Sequence, residues 1–76
     1  MRAFYNRKSR SIWIKDANDN TVLTTSAPAG ERIGVAAGSV LTEQGLMRTS
    51  DWMLLHDGSP VRYADVSPLP RTLDSL

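Results

Sequence analysis

Hydrophobic and polar positions alternate early in the chain, take a helical spacing in the middle, and alternate again near the end. In RSIWIKD, Ile12 and Ile14 fall on one side of an extended chain, and Ser11, Trp13 and Lys15 on the other. The ANDN stretch at 17–20 follows; Asn and Asp tolerate left-handed backbone and cap their own turns, which predicts a hairpin loop. TVLTT, residues 21–25, is rich in β-branched side chains and predicts the returning strand. RAFY is expected to form a short first strand, with NRKS as its turn.

The middle of the chain predicts a helix over residues 28–44. Thr25 or Ser26 is the expected N-cap, and Pro28 suits a first turn. Ile33, Ala37, Val40 and Leu41 share one face, and Gly45 sits where a C′ glycine closes a helix. Gly30, Gly34 and Gly38 recur every fourth residue. Interior glycines cost about 1 kcal/mol each relative to Ala. They imply a helix crossing close over a sheet, a weak helix that begins later, or a groove at Gly34 and Gly38 that docks another chain.

SDWMLLHD predicts a strand with Trp52, Leu54 and His56 on one side, and Met53 and Leu55 on the other. Asp57-Gly58 is a hairpin signal, widened by Ser59-Pro60. VRYADV returns with Val61, Tyr63 and Asp65 on one face and Arg62, Ala64 and Val66 on the other. The expected fold is α+β: a β-hairpin, a helix and a β-hairpin forming a small antiparallel sheet of four to five strands with the helix packed on one face. The expected core is Ile12, Ile14, Leu23, Ile33, Ala37, Val40, Leu41, Leu46, Trp52, Leu54 and Tyr63. One domain covers 1–66, and 67–76, with two prolines and no period, is expected to be an extended or disordered tail.

A chain of 76 residues builds a small core, which rarely supplies more than roughly 3–5 kcal/mol. It has no cysteine for a disulfide or thiolate metal site, and one histidine, His56, which cannot hold zinc by imidazole alone. No metal or cofactor is expected. Self-association is the simplest remaining source of stability. No apolar run spans a bilayer and the first residues lack the apolar stretch of a secretory signal, so a cytoplasmic, membrane-free protein is expected.

Net charge is +1, but it is unevenly spread. Arg2, Arg7, Lys8, Arg10 and Lys15 stand in the first 15 residues with no acid; the remaining four arginines face all eight acids. With Phe4, Tyr5 and Trp13 interleaved, this basic front admits three readings: a solvated edge strand, a nucleic-acid surface, or a site for an acidic protein, a second copy included. Arg2, Arg7, Lys8, Arg10, Trp13 and Lys15, with Gly34 and Gly38, are the candidate binding residues.

Catalytic patterns are sparse. His56 and Asp57 are adjacent and would face opposite ways on a strand, although His56 could meet Asp65 across the hairpin. GERIGVAAG lacks the Lys-Ser/Thr of a phosphate loop, and Asp16 and Asp19 lie in a turn too short for a calcium loop.

Residues 40–66 resemble a pattern in small uncharacterised proteins of actinobacteria and their bacteriophages. There a helix ends in Gly, an Arg-Thr pair leads into a Trp strand, and a Gly turn leads to an aromatic strand ending Ala-x-Val. The marks here are Gly45, Arg48, Thr49, Trp52, Gly58, Tyr63, Ala64 and Val66. The resemblance implies a compact accessory protein, phage-encoded, that acts on host components; it brings no catalytic residue. The expected function is therefore a non-enzymatic protein-binding module acting on a host protein or on itself. The alternative is a nucleic-acid binder using the N-terminal strands.

Overall fold

The computed structural model describes residues 1–69. Strands β1 (Arg2–Asn6), β2 (Ser11–Lys15) and β3 (Thr21–Ser26) form a meander. Helix α1 (Ile33–Glu43) follows, then β4 (Leu46–Arg48), β5 (Met53–Leu54) and β6 (Val61–Pro68). The sheet order is β3-β2-β1-β6-β4, and β5 shares the outer edge of β6 with β4. Every pairing is antiparallel. This is the expected small α+β fold, with six strands rather than four to five, because the final third breaks into short pieces.

Both hairpin loops of the meander are held by carboxamide or carboxylate oxygens. Asn6 Oδ1 accepts from the amides of Lys8 and Ser9 at 2.9 and 3.0 Å. Asp16 Oδ1 accepts from the amides of Asn18 and Asn20 at 2.8 and 3.0 Å. These side chains satisfy turn amides that would otherwise need water.

The alternation expected for β2 and β6 holds. Ile12, Ile14, Ala64 and Val66 are buried, with Ala3 and Tyr5 of β1 beside them. Ala36, Ala37 and Leu41 of α1 close this face. The core divides into two clusters, Ala3–Ile14–Leu41–Val66 and Tyr5–Ile12–Ala36–Ala37, and Trp52 packs against both.

The helix begins at Ile33, not near Pro28, and its N-cap is Arg32 with no side-chain hydrogen bond, rather than Thr25 or Ser26. The cause lies upstream. Gly30 takes φ +87°, a left-handed conformation that ends any helical path, and Arg10 Nη2 donates to the carbonyls of Pro28 (2.7 Å) and Glu31. At the other end Gly45 has φ +72°, as a C′ glycine requires. Close approach does not explain the interior glycines. A Cβ on Gly34 would meet Tyr5 Oη at an ordinary 3.9 Å, and one on Gly38 would meet nothing within 4 Å.

The expected SDWMLLHD strand shrinks to Met53–Leu54. Thr49 donates to the Asp65 carbonyl (2.8 Å), and the Asp65 amide donates to Ser50 Oγ (2.9 Å). A side chain thus ends the ladder there, and the chain leaves the sheet long enough for Trp52 to turn onto the helix side. Leu54 is correspondingly outside the core, 43% exposed, and Tyr63 lies on the opposite face of the sheet. The C-terminal boundary also moves. Ser67 and Pro68, assigned to the tail, pair with Met47 and Leu46; residues 70–76 of that tail lie outside the described residues.

Candidate binding face on the open sheet

Helix α1 and Trp52 cover one face of the sheet. The other face is built by the positions that alternate away from the core. Because Ala3 and Tyr5 point inward, Arg2 and Phe4 point outward; Trp13 and Lys15, and Tyr63 and Asp65, follow by the same rule. Registration then aligns them. Phe4 is opposite Trp13 on one side and Tyr63 on the other, Trp13 is opposite Thr24, and Tyr63 is opposite Met53. The result is one rung across five strands: Thr24, Trp13, Phe4, Tyr63, Met53.

The rings on this rung touch. Phe4 and Trp13 are stacked with centroids 5.4 Å apart, and Tyr63 tilts against Phe4 at 6.1 Å. The neighbouring rung carries Lys15, Arg2 and Asp65. The Arg2 guanidinium lies 5.4 Å from the Tyr63 ring centre, and Lys15 Nζ 5.7 Å from that of Phe4. Each cation also has an acid: Arg2 Nε is 3.3 Å from Asp65 Oδ1, and Lys15 Nζ is 3.4 Å from Asp19 Oδ1. A shallow cleft of about 330 Å³ runs beside Phe4 between Arg2, Lys15 and the Asp16–Asp19 turn. The face is aromatic and carries balanced charge.

The sequence-predicted residues separate into three places. Arg2, Trp13 and Lys15 gather on the open face. Arg7 and Lys8 are exposed in the β1–β2 turn, at the end of the sheet. Arg10 is spent on the fold: its φ is +62°, and its guanidinium is held by the loop before α1, with Nε buried and without a partner. Gly34 and Gly38 lie on α1, across the sheet from the aromatic rung.

Phe4 and Tyr63 complete the face, and neither is among the sequence-predicted site residues. Their signal is the charge two positions away on the same strand face. Arg2 precedes Phe4 and Asp65 follows Tyr63, but Arg62 stands on the other face of β6, so charge alone leaves that face open and the register with β1 decides it.

Chemistry is not assembled at His56. It is exposed in the loop after β5, with Nδ1 3.0 Å from the Asp57 carbonyl oxygen. Leu54 pairs with Arg62 and Met53 with Tyr63, so His56 lies beyond the start of β6 while Asp65 lies along it. The offset is five residues, roughly 17 Å at strand rise. Among the described residues, no three His, Asp or Glu side chains gather as a metal site, and no helix is long and apolar enough to cross a membrane.

No protein-family model, no curated protein and no solved structure matches the chain.

Proposed function

We propose that this chain is a non-enzymatic binding module whose open sheet face receives a protein partner. The observation that carries this reading is the Trp13–Phe4–Tyr63–Met53 rung, in cross-strand register on the face the helix leaves uncovered. The centres of protein interfaces are enriched in aromatic residues, Met and Arg, and charged residues such as Lys and Asp belong to the rim, which is the division here between the aromatic rung and the neighbouring Lys15–Arg2–Asp65 rung. This face has that composition, and its cations are already matched by Asp65 and Asp19. The resemblance of residues 40–66 to phage and actinobacterial proteins makes a host protein one candidate partner.

A second reading, nucleic-acid binding, draws on Arg7 and Lys8, which join no ion pair among the described residues. Aromatic rings on a sheet beside such cations can stack bases. The neutralised charge of the face favours protein.

The test is a photo-crosslinking residue at Thr24, at the end of the rung, with Glu43 on the exposed side of α1 as the control position. In producing cells, Thr24 is expected to give discrete protein adducts that survive nuclease and that Glu43 does not give. Adducts lost on nuclease treatment, or the same set at both positions, would overturn the reading.

A further inference from the structure

We infer that the open face pairs with a second copy of this chain, the two sheets stacked about a two-fold axis that runs along β1. The inference rests on the binding-face reading and names the occupant.

The layout of the face supports it. A two-fold axis along β1 keeps each rung opposite itself and exchanges its ends, so β2 of one copy lies over β6 of the other. Trp13 then covers Tyr63 of the second copy, and Phe4 covers Phe4. On the next rung Lys15 lies over Asp65 of the second copy, twice by symmetry. Arg2 meets its own equivalent, but each guanidinium is held by Asp65 and the Tyr63 ring of its own chain. Aromatic surface meets aromatic surface, and Lys15 meets Asp65 at both symmetric contacts.

The size is sufficient. On this face β3, β2, β1 and β6 each contribute about five residues and β5 two, which together present a projected area of roughly 350 Å². Side-chain relief raises the accessible area above that projection, so two stacked faces bury on the order of 1,000 Å², the lower bound for a specific interface. Aligned sheets pack about 10 Å apart, the separation that ring side chains fill. The need is present as well, since a chain with this small a core and no disulfide gains stability by mass action when its native state associates.

Sedimentation equilibrium over a wide concentration series, with circular dichroism to confirm the fold, tests the pairing. The parent chain is expected to be a dimer that dissociates on dilution, and Phe4→Thr/Tyr63→Thr a folded monomer. Lys15→Asp and Asp65→Lys each place like charges opposite one another and are expected to weaken association by about tenfold. Mixing those two variants brings opposite charges together at both symmetric contacts and is expected to restore the dimer. A parent chain that stays monomeric throughout, or a dimer indifferent to all four substitutions, would overturn the pairing. If Thr24 still crosslinked to other proteins, the binding-face reading would stand without it; if it did not, both would fall.

Discussion

The rings of Phe4 and Trp13 lie within 2° of parallel, with centroids 5.4 Å apart, on adjacent strands at directly opposed positions. Such a pair contributes about 0.5–1.5 kcal/mol beyond the area it buries. A double-mutant cycle with Phe4→Thr and Trp13→Thr, followed by urea unfolding, is expected to return a coupling of that size. Strict additivity would mean that the rings do not interact in solution.

Arg10 distinguishes structural cations from free ones. Its guanidinium joins the β1–β2 turn to the carbonyls of Pro28 and Glu31. Arg10→Met is expected to cost roughly 1.5–3 kcal/mol, the range for hydrogen bonds from a charged donor. Arg7→Ala, in the same turn and exposed, is expected to stay within about 0.5 kcal/mol of the parent. Chemical denaturation of both variants checks this, and equal costs would remove Arg10 from its structural role.

Trp52 is the side chain shared by the two core clusters. Its ring meets Tyr5 edge-on at 4.8 Å, and the Arg48 guanidinium lies 5.4 Å from its centre. Trp52→Ala is expected to cost on the order of 3 kcal/mol, enough to unfold much of the population of a domain this small. An unchanged melting temperature would show that Trp52 lies on the surface and closes nothing.

The helix glycines give effects of opposite sign. Gly38→Ala adds a methyl group to open space inside a helix and is expected to stabilise by about 0.5–1 kcal/mol. Gly45→Ala forces a side chain into φ +72° and is expected to destabilise by roughly 1–2 kcal/mol. Thermal unfolding of the two variants reads both signs. A destabilising Gly38→Ala would revive a packing role for the glycine line.

The parts of the fold that follow local rules were legible in the residues. The alternation of Ile12 and Ile14 against Trp13, the Asp16 turn and the Gly45 helix end depend on neighbours in sequence, and the structure agrees with each. What was not legible depended on distant residues. The helix start is displaced by Arg10, eighteen positions from Pro28. The strand through Trp52 is cut short because Ser50 Oγ takes the Asp65 amide fifteen positions away. Tyr63, expected in the core, lies beside Phe4 on the open face instead. Which face of β6 is wet follows from its pairing with β1, and there Phe4 and Asp65 decide it. The open face was half visible in the sequence. Arg2, Trp13 and Lys15 were found from charge and alternation, while Phe4 and Tyr63 required the register.

The proposed binding surface is the uncovered sheet face and not the helix. The most direct measurement is a residue-resolved amide NMR titration of the labelled chain, with increasing amounts of unlabelled chain and then of any protein crosslinked through Thr24. Shifts are expected to concentrate at Arg2, Phe4, Trp13, Lys15, Thr24 and Tyr63, with Val35, Ser39 and Glu43 on α1 unmoved. Shifts gathered along α1, with the sheet face silent, would contradict the proposal.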